Sequence, residues 1–156
     1  MVISLGGVDV DYNQAKSRLA PCGLDCSRCA DYDSGEIQQI SSRLTELLGN
    51  YRRLAAIKAN TFPVFQNYQQ FEDVLSYFSQ ASCSGCRGEN VKCPINCPAQ
   101  TCHKEKGVDF CFQCDEYPCD KPFPDAIENR WRTLNDRMKK IGVEKFCIEQ
   151  DKKPRY

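Results

Sequence analysis

The sequence is poor in several residue types on which most functional classes depend. It has one histidine, one tryptophan and two methionines in 156 residues. Val, Ile, Leu and Phe make up only about a fifth of it, near the level at which a self-sufficient core is hard to bury. Neither charge is in excess, because 21 basic residues balance 21 acidic ones. We therefore expect no nucleic-acid binding, which usually needs a basic face, and we expect the fold to need more than apolar packing.

Long apolar runs are also missing. No stretch approaches the roughly 18 apolar residues that a membrane-spanning helix needs, and neither end carries a lipidation motif. The first residues, MVISLGGVDVDYNQAK, lack the basic and apolar segments of a secretory signal. These absences predict a cytoplasmic protein that does not attach to membranes.

Cysteine, by contrast, is abundant, with twelve in the chain. In a reducing cytoplasm cysteines remain thiols, so metal binding explains a dense set of them better than disulfides do. A site with four thiolates contributes on the order of 10 kcal/mol of apparent folding free energy, which offsets a small core. The sequence therefore predicts metal-binding cysteines, with disulfides or thiol redox chemistry as the alternative.

A loop over residues 20–30 holds three cysteines spaced as C-x3-C-x2-C: Cys22, Cys26 and Cys29. Three thiolates so close together can share one metal ion or one cluster. If only these three bind, one coordination position stays open, and an enzymatic site would lie here if the protein has one. Otherwise only scattered carboxylates such as Asp25 and Glu116 favour catalysis. The sequence therefore favours a protein that is not an enzyme.

A second cysteine-rich region covers residues 83–121, where glycines and prolines predict irregular metal-binding loops with at most short strands. Its two C-x2-C pairs, at 83–86 and 111–114, are typical of zinc sites and can together form one four-cysteine site. The only histidine stands beside a cysteine and is a further candidate ligand. The predicted metal ligands are Cys22, Cys26, Cys29, Cys83, Cys86, Cys93, Cys97, Cys102, His103, Cys111, Cys114 and Cys119.

The spacing leaves the identity of the metal open. Zn²⁺ suits tetrahedral thiolates, and we predict zinc. The alternative is a [4Fe-4S] cluster, because all-cysteine groups and Cys-Pro steps such as those at Cys93 and Cys97 also occur in ferredoxins, although the ferredoxin runs are absent. The twelfth cysteine, Cys147, lies in a helical stretch and is predicted to be a small buried residue rather than a ligand.

The segment over residues 35–80 has the periodicity of helices. It predicts one helix over about 35–59, capped by Asp33 or Ser34, and a second over about 64–79 whose aromatic stripe we interpret as core. Residues 122–150 predict two further helices that Gly142 separates. The expected fold is one small, mainly α domain with little strand, in which two antiparallel middle helices pack with the C-terminal helix.

A series of motifs in this order resembles a known family. The motifs are APCGLDCSRC, CSGC, CPINC, TCHKEKGVDFCFQCDEYPC and IGVEKFCIEQ. Over about residues 20–150 they resemble the cysteine-rich bacterial and archaeal family called domain of unknown function 3795. The resemblance implies a metal-binding protein without an assigned reaction.

Two functions are open at this point. The first is a structural zinc module with closed tetrathiolate sites, which presents a surface to an unknown protein partner. The second is an iron–sulfur protein that passes electrons or supports a larger redox enzyme.

Overall fold

The computed structural model describes residues 9–156, so the expectation of no secretory signal concerns a segment that begins outside the described residues. Within this range the only strand-like pairings are two isolated bridges, Leu19 with Asp25 and Tyr32 with Cys83. The mainly α fold with little strand is confirmed. The helices are α1 (Tyr12–Arg18), α2 (Glu36–Leu48), α3 (Arg52–Lys58), α4 (Tyr68–Ser79), α5 (Ala99–Glu105), α6 (Asp125–Ile141) and α7 (Val143–Asp151), with 3₁₀ turns at Cys26–Arg28, Pro63–Asn67 and Cys111–Gln113.

The chain divides into two compact units. We call Met1–Ser27 with Gly85–Tyr156 the cysteine unit, and Arg28–Ser84 the helical insert. The single domain expected from the sequence stays a prediction. So does the packing of the middle helices with the C-terminal helix, because these helices belong to different units.

The two middle helices differ in detail from their prediction. The helix expected over 35–59 is two helices, because α2 ends at Gly49, whose φ of +48° breaks the helical path before α3 begins. Its cap was also predicted wrongly: Gly35 is the N-cap, and no side chain caps the helix. The second helix is confirmed, as the Pro63–Asn67 turn continues directly into α4.

Two short helices were not expected from the sequence. Helix α1 begins at a capping box, in which Asp11 Oδ1 accepts from the Gln14 N–H at 2.9 Å and Gln14 Oε1 accepts from the Asp11 N–H at 2.9 Å. Helix α5 lies within residues 83–121, where only irregular loop or short strand was predicted. Each has seven residues, too few to show a clear periodicity.

Helix α6 organises the core of the cysteine unit. Ile127 and Trp131 pack in one buried cluster with several cysteines, and Met138 packs in another with Phe110 and Phe146. Between these positions lies Asn135, which is fully buried. The predicted C-terminal helices are therefore confirmed, and α6 is the element on which the cysteine loops rest.

Asn135 fastens two of those loops to α6. Its Nδ2 group donates to the Cys22 carbonyl at 3.0 Å and to the Trp131 carbonyl at 3.1 Å. Its Oδ1 accepts from the Phe112 N–H at 3.0 Å. A buried side chain satisfied in this way holds a loop in one position, since each broken bond would leave a buried polar group without a partner.

Gly23, in the first cysteine loop, allows that loop to approach α6. Its φ is +90°, and a Cβ atom there would lie 2.8 Å from Leu134 Cβ and 2.9 Å from Met138 Cε. Any other residue would be strained in its backbone and would overlap the helix. Glycine at position 23 is therefore required for packing against α6.

The helical insert is built mainly from α2 and α4, which run antiparallel. Gln38 Nε2 and Ser42 Oγ of α2 donate to the Ser79 carbonyl at the end of α4, at 2.9 and 3.2 Å. Beyond the other end of α2, Arg52 of α3 forms an ion pair with Glu72 of α4 at 2.6 Å. Polar contacts thus fix the register of the two helices.

The aromatic stripe of α4 is not the core that the sequence suggested. Leu75 is buried, but Phe71 and Val74 are 44% and 52% exposed. A unit of three helices has too few layers to cover both sides of each amphipathic helix. Large apolar side chains of the insert that stay exposed are Ile40, Leu44, Leu47, Leu54, Ile57, Phe62, Val64, Phe71, Val74 and Tyr77.

None of the helices formed by residues 9–156 combines the length and the apolar character that crossing a membrane demands.

Candidate metal centre

Four cysteines of the cysteine unit line one cavity of about 30 Å³. Cys102 lies on α5, and Cys111 begins the Cys111–Gln113 3₁₀ turn. Cys114 directly follows that turn, and Cys119 lies five residues after Cys114. The remaining wall is largely apolar and includes Phe123 from the loop before α6. Sulfur atoms from separate stretches of the chain therefore border one small space.

The turn that carries Cys111 and Cys114 is held by its own hydrogen bonds. The Cys114 N–H donates to the Cys111 carbonyl at 3.1 Å, which closes the turn. Gln113 Oε1 accepts from the Asp109 and Phe110 N–H groups at 3.0 and 2.9 Å. With the bond from Phe112 to α6, these contacts leave the turn little freedom, so that the backbone carrying its two cysteines is fixed before any ligand binds.

Burial keeps the Cys111 thiol neutral in the absence of a cation. Burial raises the pKa of Cys111 to about 11, and the neighbouring thiols Cys102 and Cys119 act in the same direction. Several thiolates in one small space repel one another, so they can all ionise only when a positive charge joins them. This is the electrostatic character of a thiolate metal site.

Two lysines stand at the edge of the same cavity. Lys121 donates a hydrogen bond to the Cys102 sulfur, and this contact raises the pKa of the lysine. Lys106 pairs with Glu116, and that hydrogen bond raises the pKa of Lys106 and lowers that of Glu116. Positive charge beside the sulfurs favours their thiolate form.

His103 adds a nitrogen donor to the cavity wall. Its side chain lines the cavity, the residue is 9% exposed, and the buried Nε2 atom has no hydrogen-bond partner. Burial lowers the imidazole pKa, and the charges of Arg87 and Lys104 lower it further, while a hydrogen bond to the Val108 backbone opposes them. A hydrogen bond from the ring to a backbone carbonyl favours a neutral imidazole whose proton lies on the nitrogen that donates the bond, and not on Nε2. The buried Nε2 of this cavity-lining residue would then carry the free lone pair of the ring.

Trp131 also faces this cavity. Its buried indole N–H forms no hydrogen bond with good geometry, yet it lies close enough to the Cys111 sulfur to favour the thiolate. The indole ring itself is stacked on Phe123, with ring centroids 4.1 Å apart. An N–H directed at a sulfur stabilises negative charge on that sulfur.

A family model described as a protein of unknown function, DUF3795, matches residues 18–123, which is more than half of the chain. The chain belongs to this family. No curated protein and no solved structure matches. The DUF3795 match includes every predicted ligand and ends before Trp131 and Cys147. The family assignment suggested by the motifs is thus confirmed, and it carries no reaction with it.

Five further predicted ligands form a second group in the cysteine unit: Cys22, Cys26, Cys86, Cys93 and Cys97. Burial raises the pKa of Cys22 to about 12. A hydrogen bond from Cys86 lowers the pKa of Cys26 to about 7. Cys86, whose spacing would also allow a shared site with Cys111 and Cys114, donates its thiol hydrogen to the Cys26 sulfur.

The remaining two predicted ligands, Cys29 and Cys83, belong to the helical insert. Cys83 joins the ends of the insert through its backbone, since its N–H donates to the Asp31 carbonyl at 2.8 Å and its carbonyl accepts from the Asp33 N–H at 2.9 Å. The Cys29 thiol lies 3.9 Å from Asp31 Oδ2. Within the insert, these contacts give Cys83 a structural role in closing the unit.

As they stand, no three Cys, His, Asp or Glu side chains among residues 9–156 are close enough to one point to hold a metal ion. The cavity therefore brings donors together without assembling them into a coordination sphere. Binding would require the thiol side chains to rotate toward a common centre, because zinc–sulfur bonds are only about 2.3 Å long.

Three residues that shape this region were not singled out as site residues by the sequence. Trp131, Lys121 and Asn135 were not among the predicted ligands. Their positions depend on how α6 packs against the cysteine loops, which spacing along the chain does not reveal. Cys147 is buried, as predicted, beside Phe146 in the second core cluster.

Proposed function

We propose that this DUF3795 protein is a structural zinc protein, in which Cys102, Cys111, Cys114 and Cys119 bind one Zn²⁺. The observation that carries the proposal is that these four thiols line one cavity, although 17 positions separate the first from the last. Four thiolates form the closed, tetrahedral ligand set of structural zinc sites. Zinc there would join α5 to the loop that leads into α6.

The donors around the cavity fit a cation. His103 Nε2 is a buried acceptor without a partner, and such an atom is costly unless something binds it. A fourfold thiolate site with one divalent ion retains two negative charges, and Lys121, which donates to the Cys102 sulfur, stands at its edge to offset part of that charge. His103 is therefore placed either to replace one thiolate or to accept a hydrogen bond from one that stays protonated.

The size of the cavity favours a single ion over a cluster. Its volume of about 30 Å³ is room for one or two water molecules, since each needs at least roughly 10–15 Å³ of such space. A zinc ion fits such a space once the sulfurs turn inward, whereas a cluster of four irons and four sulfides requires the loops to separate. The iron–sulfur function remains the alternative, and colour distinguishes the two.

The exposed face of the helical insert supports the second part of the proposal, a role in binding another protein. Contiguous apolar surface on a folded unit is typical of surfaces that bind partners. On α2, Ile40, Leu44 and Leu47 follow one another at helical spacing and are 58%, 37% and 66% exposed. The metal would then maintain the fold while a different surface makes the contact.

The proposal is tested by metal analysis of protein purified without oxygen, together with its visible absorption spectrum. We expect zinc and no colour, and we expect the double variant C111S/C114S to lose one zinc ion per chain. C147S is the matched control, since it removes a buried thiol outside the cavity and should retain all of the metal.

Full metal content in C111S/C114S would refute the cavity site. A brown protein that contains iron and sulfide would contradict the zinc proposal and support the iron–sulfur alternative.

A further inference from the structure

The cysteine unit contains a second concentration of sulfur, formed by Cys22, Cys26, Cys86 and Cys97. Cys22, Cys86 and Cys97 are 3%, 9% and 7% exposed and belong to one buried cluster, against which Cys26 is packed. They come from both parts of the unit, before and after the insert. The fold therefore gathers thiols that are up to 75 positions apart in the sequence.

The four thiols are neighbours in one packed cluster, although no three of them converge on one point as they stand, so binding would require their side chains to rotate. The Cys86 thiol and the Cys86 backbone N–H both donate to the Cys26 sulfur. Cys22 is near enough to Cys26 and Cys97 for a thiolate at either position to act on it, and Cys97 is likewise near Cys26. No sulfur of the set is remote from the others.

Backbone N–H groups are directed at three of these sulfurs. The Leu24 N–H donates to Cys22, and the Ala99 and Gln100 N–H groups donate to Cys97. With the Cys86 N–H on Cys26, each of the three sulfurs has at least one amide donor. Amide donors stabilise a sulfur that carries negative charge, and they hold it in one orientation, as the outer shell of a thiolate metal site does.

Two arginines lie near these four cysteines. Arg155 acts on Cys26 and donates to the Asp25 carbonyl at 3.0 Å. Arg87 acts on both Cys26 and Cys86, and its Nε donates to the Lys16 and Leu19 carbonyls at 2.9 and 3.0 Å.

The one carboxylate that faces Cys26, that of Asp25, is already paired with Arg18 at 2.8 Å. The surroundings are thus suited to a negatively charged tetrathiolate.

We infer that Cys22, Cys26, Cys86 and Cys97 bind a second thiophilic metal ion, separate from the one in the cavity. The inference rests on the proposed function only in that both use thiolates of this unit. Cys93 neighbours Cys86 and Cys97 but is not part of the buried cluster, so we place it outside the set of four. The second ion would fasten the first cysteine loop to the loops that follow the insert.

The test is the metal-to-protein ratio of the full chain and three variants. We expect two ions in the wild type, one in C22S/C97S, one in C111S/C114S, and two in C93S. The two double variants distinguish the sites, because each should lose one ion and keep the other.

A titration of metal-free wild-type protein with Co²⁺ provides a measurement that does not depend on whether the variants fold. Binding through thiolates gives a sulfur-to-cobalt charge-transfer band, and we expect that band to grow until two equivalents have been added. Saturation at one equivalent would overturn the second site.

Two results with the variants would also overturn it. If C22S/C97S kept the full ratio while C111S/C114S lost metal, only the cavity would bind. If each double variant lost all of its metal while folding normally, the sulfurs would form one shared site and not two.

Discussion

The two units of this protein both have few apolar residues, and they differ in what stabilises them. The cysteine unit holds ten of the twelve cysteines and buries Trp131, Phe110 and Phe146. The helical insert holds two cysteines, and its buried hydrophobic side chains are few and mostly small, such as Ala55. One unit adds thiols to its core, and the other relies on helices and polar contacts.

The difference shows where metal would matter. Loops such as those around Gly23 and Cys111 have little regular structure of their own, so buried polar contacts hold them, and the proposed metal ions would add to that support. The helices of the insert satisfy their own backbone groups and need less from their surroundings. Changes made in the two units should therefore differ greatly in their effect on the free energy of unfolding.

Removing the metal should affect the cysteine unit most. If thiolate sites stabilise it by on the order of 10 kcal/mol, a strong chelator under reducing conditions should unfold it. Trp131 is the only tryptophan and is 2% exposed, so its fluorescence reports on this unit alone. We expect its emission to shift to longer wavelength, reversibly on adding zinc. Unchanged emission after complete metal removal would contradict a structural role.

Asn135→Ala should be the most damaging single substitution away from the cysteines. It leaves the Phe112 N–H and the Cys22 carbonyl without their buried partner, and we expect a loss of about 4 kcal/mol of unfolding free energy. Urea denaturation followed by Trp131 fluorescence measures it. Asn129→Ala, at an exposed position of the same helix, should change stability by less than about 0.5 kcal/mol.

Gly23→Ala should cost about 3 kcal/mol, because it combines a positive φ with overlap against α6. Gly107→Ala separates the two causes. Gly107 also has a positive φ, +65°, but a Cβ there meets nothing within 4 Å. It should cost only about 1 kcal/mol. Equal losses in the two variants, measured by urea denaturation, would show that the close approach to α6 is unimportant.

Asp109→Asn should have a small effect that depends on pH. The hydrogen bond from Lys16 lowers the pKa of the Asp109 carboxyl. Burial acts in the opposite direction, and a hydrogen bond from Tyr12 lowers the pKa further. The folded pKa lies below the unfolded value near 3.8, so the carboxylate stabilises the fold above that pH and loses its effect as the pH falls through the folded pKa. We expect a loss of about 1 kcal/mol or less at pH 7.

The unfolding free energies of the wild type and of Asp109→Asn should converge as the pH falls below about 4. A difference that stayed constant across this range would show that packing, not charge, is responsible.

The smallest effect on stability belongs to the exposed face of the insert. Leu47 and Ile57 are 66% and 68% exposed, so Leu47→Gln with Ile57→Gln should change the free energy of unfolding by less than about 0.5 kcal/mol. Leu75→Ala, at a residue only 7% exposed, should cost about 2 kcal/mol or more.

The same double variant should bind less of the dye anilinonaphthalene sulfonate, which reports exposed apolar surface. Undiminished dye binding would place the apolar surface elsewhere.

Much of this molecule was predictable from particular residues. Helices α2, α4, α6 and α7 followed from apolar residues at spacings of three and four, and Gly142 correctly separated the last two. The same reasoning failed for α1 and α5, which are too short to show a period. It also failed for the exposed residues Phe71 and Val74, since periodicity identifies an apolar face but not whether anything covers it.

By itself the sequence determined the mainly α class, the family, and the set of cysteines among which any ligands must be found, because these depend on composition, spacing and order along the chain. Only the tertiary structure decided which sulfurs are neighbours. It placed Cys86 beside Cys26, gave Cys111 and Cys114 a cavity with Cys102 and Cys119, and brought Trp131 and Lys121 to the same wall. Such groupings arise from how loops pack on α6, and packing joins residues without regard to their separation in sequence.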